Sequence, residues 1–527
     1  MIDMKRRNIF SFAFIVILLT SLPYLVGYLR QDEQWRYTGL LIAAEDGHSY
    51  LAKMLLGAAG DWLFRTPYTA YPQRGFLAFF PYILLGKLTS PPGQYSQLVA
   101  LFHLFRIAGV IFCIWATDRF VSLYFSECRY RLFAVVLATL GGGLGFLYVF
   151  GLSSFWQGGL PLEFYSPETF GFLSFLAIPH LLWARGFLFW GLTDYLHAHR
   201  EESFWGGWKA GVIWNLTGLM QPFTIVVGWA VLAIHLFAEF LYSLLQKNNP
   251  LHSSFSFWAK RASGAVLASS PFVIYTFVSF RLDPFLKQWE KQNIILSPPI
   301  GDYLLAYGIL LPLSLVGTWK WLRQSDVSKR LLIFWALFFP VLAYVPYNLQ
   351  RRLPEGVFVA LSILAVAGFS ILSGFPRSLA KIWLGLSMIP SLILVGGGII
   401  TLLNPSPPLY FSADEQDLFK TMRDMVPRSS VVLADWDLSN LLPAHVPVRV
   451  IIGHGPESLR AIELKQQVEK FYRGDLSEKE RLQFLKQENV DYLIVRQEIS
   501  PNGWRKMPDL KLLYQNSSLA LFQVTRP

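Results

Sequence analysis

Two adjacent carboxylates, Glu45 and Asp46, stand in the run Leu41-Ile42-Ala43-Ala44-Glu45-Asp46-Gly47-His48-Ser49-Tyr50, a short way past the first apolar segment. In a loop that returns to a membrane, a carboxylate can act as a general base, taking a proton from a group presented at the lipid surface. An acid beside a second acid tends to hold its proton more tightly, which suits a base working near neutral pH. Asp46 is therefore the candidate base, with Glu45 as its neighbour and alternate. A plainer role is also open. Tyr50, Met54, Leu55 and Ala58 recur at helical spacing, so Asp46 heads an amphipathic helix, where a carboxylate can cap free backbone N–H groups. His48 and Tyr50, within the next turn, are candidate cavity or acceptor-binding residues.

Chemistry of the opposite sign comes from arginine. Arg106 lies inside the apolar run Gln97 to Phe125, where a charge costs about 2.5–3.5 kcal/mol unless it is paired or lines a wet cavity. A phosphate or a carboxylate such as Asp46 would answer it, and snorkelling to the interface is the alternative. Arg351 and Arg352, just before Pro354-Glu355-Gly356, are basic residues on the outer side, against the usual charge rule. Their guanidinium forks suit a monophosphate or diphosphate, and a salt bridge to Glu355 or to lipid head groups competes with that reading. Glu163 and Glu168 stand in the proline-bounded run Pro161 to Thr169, with a helix-start role open for Glu168. His180 and Gln221, within or between apolar runs, fit a cavity or ordinary interhelical hydrogen bonds.

The elements that must hold these residues are membrane spans. The 527-residue chain is 53% hydrophobic, 16% aromatic and only 15% charged, the composition of a polytopic α-helical membrane protein. Its net charge of +11 is scattered through short loops, as the positive-inside rule disperses it, which argues against nucleic acid as a partner. Its two cysteines build no disulfide framework. Lys5-Arg6-Arg7 followed by an apolar run from Asn8 to Leu29 reads as an uncleaved first span with the N-terminus cytoplasmic. Including it, about eleven apolar runs have spanning length. The shorter run Gly75 to Leu88 reads as re-entrant or interfacial, which puts the basic loops on the side of the N-terminus. The expected domains are 1–403 in the membrane, with 30–95 as a first external loop, and 404–527 as a soluble extracytoplasmic α/β domain. In that tail, strand-like runs (430–434, 446–452, 492–496 and 519–524) alternate with helical ones (414–425, 459–473 and 477–487).

These residues together resemble the GT-C superfamily of membrane glycosyltransferases, which includes protein O-mannosyltransferases, aminoarabinose transferases and oligosaccharyltransferases. The likeness covers the layout of roughly the first four hundred residues. It implies a sugar donor carried on a polyprenyl phosphate or diphosphate, an unknown glycan, lipid or protein acceptor, and transfer with inversion on the outer face of a bacterial inner membrane. It assigns the catalytic acid of the first external loop to Asp46 or Glu45, places Arg106 where the mannosyltransferase branch has an arginine, and matches Glu163 and Glu168 to acids of the second external loop. The tryptophan-tryptophan-aspartate motif and the metal-binding signature of the oligosaccharyltransferases are absent, so no cofactor is assigned and a divalent cation stays open. Arg106, Arg351 and Arg352 would hold the leaving phosphate. A transporter or flippase of a lipid-linked anion would use the same charges without making a bond, although the chain shows no paired internal repeat. Three further motifs have local readings. Gly141-Gly142-Gly143-Leu144-Gly145 reads as helix packing, Asp435-Trp436-Asp437 as a helix cap, and Gly453-His454-Gly455-Pro456-Glu457-Ser458 as a turn, with or without a bound anion.

Overall fold

The computed structural model describes residues 2–197, 203–245, 251–324, 326–497 and 509–525, so the side chains of Lys5, Arg6 and Arg7 and the whole of Lys247 lie outside the described residues. Among the described residues, six helices are long and apolar enough to cross a bilayer: Asn8–Arg30, Gln94–Val121, Phe223–Leu244, Phe255–Leu282, Gln350–Phe369 and Gly374–Leu402. The pair Ile300–Tyr307 and Leu311–Leu322, bent by 80°, makes a seventh if taken as one span. The expected eleven spans are not confirmed, because several apolar runs break before reaching the ~20 helical residues that a hydrocarbon core requires. The run from Leu132 gives a 13-residue helix, Cys128–Leu140, that stops at the glycines, with only Phe146–Val149 beyond them. The run from Phe170 splits into Phe172–Ala177 and Pro179–Leu196, and the run from Leu331 splits before Phe339–Tyr344. Prolines at the start of both second pieces explain the breaks, since the ring removes an N–H and crowds the preceding turn. Gly75 to Leu88 contains only the seven-residue helix Phe80–Gly86, too short to cross.

Two compact units divide the chain: Met1–Leu22, Phe105–Val278 and Ile294–Gly398 form the first, and Pro23–Leu104, Ser279–Asn293 and Ile399–Pro527 the second. In the first unit, every residue of the helix Val357–Phe369 is buried. It meets Leu311–Leu322 through facing glycines. A Cβ on Gly317 would fall 2.0 Å from the Leu364 carbonyl, and one on Gly368 2.1 Å from that of Leu313. Small residues let apolar helices approach this closely where lipid supplies no hydrophobic drive.

The second unit contains both sheets. Strand β1 (Trp35–Tyr37) pairs antiparallel with β2 (Tyr410–Ser412), joining the first loop to the start of the tail. Five more strands, β3 (Val431–Leu433), β4 (Arg449–Val450), β5 (Tyr492–Arg496), β6 (Leu510–Gln515) and β7 (Leu519–Val524), form a mixed sheet in the order β4-β3-β5-β7-β6. Strands β5 and β7 and the helices Ala413–Met425, Ala461–Arg473 and Glu478–Gln487 arise where the sequence alternation places them. Ser412 and Ser477 start two of those helices with reciprocal capping boxes to Glu415 and Glu480. A free-standing domain after residue 403 is not confirmed, since the tail shares its unit with residues 23–104.

Candidate active site

Glu45 and Asp46 lie in the first turn of the helix Ala44–Ala58, whose cap position is held by Ala43 at φ 51 and ψ 50 with no side-chain cap. A left-handed conformation costs a residue with a Cβ about 1 kcal/mol, and such strain persists only where surrounding structure fixes it. The helix is packed closely at its other end. It crosses Phe80–Gly86 at two glycines, where a Cβ on Gly57 would sit 2.0 Å from the Ile83 carbonyl and one on Gly86 1.7 Å from that of Met54.

The Asp46 side chain meets the turn 453–458. Its Oδ1 accepts a hydrogen bond from His454 Nε2 at 2.8 Å. The other imidazole nitrogen, Nδ1, lies 3.5 Å from Glu457 Oε1. That same oxygen accepts from Ser49 Oγ at 2.8 Å and from Lys53 Nζ at 2.5 Å, while Glu457 Oε2 accepts from Thr66 Oγ1 at 2.6 Å. Asp46, Ser49 and Lys53, spaced i, i+3 and i+7, present one helix face to the turn 453–458. The turn is itself fixed, with Ser458 Oγ accepting from Gly453 N at 3.0 Å and donating to the His454 carbonyl at 3.1 Å. The network runs from exposed to buried: the Asp46 side chain is 42% exposed, Glu457 3% and Lys53 0%. Burial alone would raise the Glu457 carboxyl, but Lys53 and His454 beside it, with hydrogen bonds from Lys53 and Thr66, hold it below the usual carboxylate range. Lys53 also stands 4.2 Å from the centre of the Phe79 ring, a second compensation for a buried ammonium.

Glu45 Oε1 accepts from Trp436 Nε1 at 3.3 Å. Asp435 caps the helix Trp436–His445 through Leu438 N at 3.0 Å, as read from sequence. Tyr50 is a core residue, buried and stacked on Tyr82 at 4.9 Å. His48 is buried with Nε2 3.4 Å from the Pro408 carbonyl.

The remaining candidates belong to the first unit. Arg106 does not snorkel; it is 1% exposed and donates to Thr20 Oγ1, Ser21 Oγ and the Phe175 carbonyl at 3.0–3.1 Å. Arg352 pairs with Glu168 at 3.1 Å rather than with Glu355, which takes Arg185 through two hydrogen bonds of 2.5 and 3.2 Å. Glu168 precedes the helix Phe172–Ala177, so it is not that helix's cap. Arg351 lines a cavity of about 360 Å³ with Gly158, Tyr165 and Ser297. Its guanidinium is 4.7 Å from the Tyr165 ring centre, and its Nε has no hydrogen-bond partner. Glu163 is buried, with Oε1 accepting from Gly143 N at 3.1 Å and Gly145 N at 2.8 Å; burial pushes its carboxyl up against those bonds. The glycine run therefore packs closely, as expected, and also cradles an internal anion. His180 is buried near the start of Pro179–Leu196, and Gln221, between two helices, accepts from Thr224 Oγ1 at 3.0 Å.

Neither a family model nor a curated protein sequence matches the chain. Solved structures do. The Archaeoglobus fulgidus oligosaccharyltransferase in its apo form matches 95% of this chain and 71% of its own, at 12% identity and TM-score 0.56. The arabinofuranosyltransferase AftD from Mycobacteria matches 97% of this chain and 40% of its own, at 14% identity and TM-score 0.56. Apo ArnT from Cupriavidus metallidurans matches 97% of this chain and 98% of its own, at 12% identity and TM-score 0.51. The chain has the GT-C fold. With its apolar helices, that fold makes it an integral membrane protein.

Among the described residues the donors around Asp46 do not fit a divalent cation. Among the described residues no three His, Cys, Asp or Glu side chains are grouped to share one. Asp46 is engaged by His454, and Glu457 by Lys53, Ser49 and Thr66. Sequence reasoning brought together Glu45, Asp46 and His48, read His454 and Glu457 only as part of a turn, and missed Lys53 and Arg185. Two signals were available: Arg185 is a charge in an apolar run, as Arg106 is, and His454 stands between two glycines after a strand.

Proposed function

We propose that the chain is a glycosyltransferase that moves a sugar from a polyprenyl-phosphate-linked donor to an acceptor on the extracytoplasmic face, with Asp46 as base. The observation that carries this reading is the Asp46–His454 hydrogen bond at 2.8 Å, within a fold shared with three sugar-transferring membrane enzymes. A structure of the Archaeoglobus fulgidus enzyme AglB holds an inhibitory peptide and a dolichol-phosphate, at 13% identity and TM-score 0.51, which supports a lipid-phosphate donor here.

In this mechanism the acceptor oxygen attacks the anomeric carbon while the bond from that carbon to the donor phosphate breaks. The phosphate leaves with the electron pair, and Asp46 takes the acceptor's proton. Inversion follows from a single in-line displacement. His454 Nε2–H holds one carboxylate oxygen and thereby orients the base, and Ser458 Oγ holds the turn that carries His454. Arg106, Arg351 and Arg352 are the candidate holders of a donor phosphate, Arg351 first because it lines a cavity. The test is Asp46→Asn in membranes supplied with prenyl-phosphate sugar: transfer is lost and the donor accumulates. Undiminished transfer by a normally folded variant ends the assignment.

A further inference from the structure

Beside Glu45 the second unit has a cavity of about 40 Å³. Two of its lining residues carry buried polar atoms with no hydrogen-bond partner. His48, 2% exposed, turns Nε2 to the Pro408 carbonyl, so the hydrogen sits on Nε2 and Nδ1 is a bare lone pair without a partner. Burial pulls this imidazole down to about 4, which keeps it neutral at physiological pH. Asn440, 5% exposed, donates Nδ2 to the Trp436 carbonyl at 3.2 Å, and its Oδ1 has no partner. Native proteins leave few buried polar atoms unpaired, so orphan acceptors on two residues that line one cavity ask for hydrogens from a ligand. The charged lining has the same preference. Glu45 and Asp437 add carboxylates, and the one cation, Arg496, is already held by Asp435 at 2.8 Å and by Glu415 at 3.0 Å.

We propose that this cavity is a subsite for the acceptor substrate, taking a sugar edge that presents hydroxyl or ammonium hydrogens and refusing a phosphorylated one. The assignment of its occupant to the acceptor rests on the glycosyltransferase reading. The lining supplies acceptors with no unpaired cation, so it complements donors and repels anions. One water needs roughly 10–15 Å³ of such volume, so the cavity receives the edge of a ring and not a whole sugar. Glu45, which lines the cavity, precedes the proposed base Asp46 in the same helical turn.

The test uses the full-length protein in detergent and saturation-transfer NMR with three probes: methyl glucoside, glucosamine and glucose 6-phosphate. Methyl glucoside, glucosamine or both should give transfer signals that glucose 6-phosphate lacks. The stronger of the first two tells whether hydroxyl or ammonium hydrogens are preferred. Asn440→Leu removes the amide acceptor and should weaken the bound sugar about tenfold. If that variant does not fold, Asn440→Asp keeps the shape, adds charge, and should shift preference toward glucosamine over methyl glucoside by threefold or more, since even an exposed ion pair is worth about threefold. Absence of binding by both unphosphorylated sugars, equal binding of glucose 6-phosphate, or binding unchanged in the folded Asn440 variant overturns the proposal. No donor is present in these measurements, so they are separate from the transfer assay. Normal transfer by Asp46→Asn with intact sugar binding ends the base assignment alone.

Discussion

The two units treat charge in opposite ways. In the first, Arg185 and Glu355 form a closed pair, both nearly inaccessible, with Arg185 also donating to the Pro167 and Glu168 carbonyls. In the second, the series Lys53, Glu457, His454, Asp46 has a buried end and an open one, with the Asp46 side chain 42% exposed. A closed pair makes a charge tolerable within apolar structure. An open series holds a carboxylate in a fixed orientation and leaves it accessible, as the proposed base requires. Burial of a charge is therefore a poor guide to function here, and the exposed end of a buried network is a better one.

The contrast can be broken at either side. Asp46→Asn should lower transfer by about 10²–10⁴-fold while leaving the detergent melting temperature within a degree or two, because the group is a half-exposed proton acceptor. Arg185→Met should do the reverse, costing about 3–5 kcal/mol by stranding Glu355 in the interior, with much of it recovered when Glu355→Leu is added. Yield of monodisperse protein and melting temperature read both variants. If Arg185→Met folds as well as the parent, the closed pair is not what holds that region.

Acid should separate the units further. The folded His48 pKa is depressed to about 4 from an ordinary 6.5. Between those values the unfolded chain binds a proton that the folded chain refuses, so stability falls as pH drops from 6.5 toward 4. The loss approaches roughly 3 kcal/mol for a fully buried group. A His48→Phe variant should show a shallower fall in melting temperature over that window, and an unchanged slope would show that His48 is not the group responsible. The smallest effect expected is that of His454→Gln, which keeps a donor but displaces it. Transfer should fall about ten- to a hundredfold, with the acid limb of the pH–rate profile moved, since only the orientation of the base is disturbed. A change in stability without a change in that profile would reduce His454 to a structural residue.

Much of this was legible in the chain. The carboxylate pair stood out because acids are scarce in so apolar a sequence, and the strands Tyr492–Arg496 and Leu519–Val524 stood out as short apolar runs between helical patterns. The span count was less legible. Hydropathy does not register where a glycine or proline interrupts a helix, so the run from Leu132 looked continuous although it breaks at Gly141. The partners of Asp46 were hidden for a different reason. His454 and Glu457 lie far along the chain in a segment that reads locally as a turn, and no periodicity links them to the first loop. Lys53 was overlooked because a lysine on an amphipathic helix normally belongs to its wet face, whereas here it is fully buried.

The strand Trp35–Tyr37 finds its neighbour in Tyr410–Ser412, and Asp46 meets His454 across 408 residues of sequence. At ordinary ribosomal speeds of 5–20 residues per second, the acid waits about 20 to 80 seconds before the imidazole that orients it has been made. The membrane helices are made during that interval, so the carboxylate of the proposed base is held in place only after they have been synthesised.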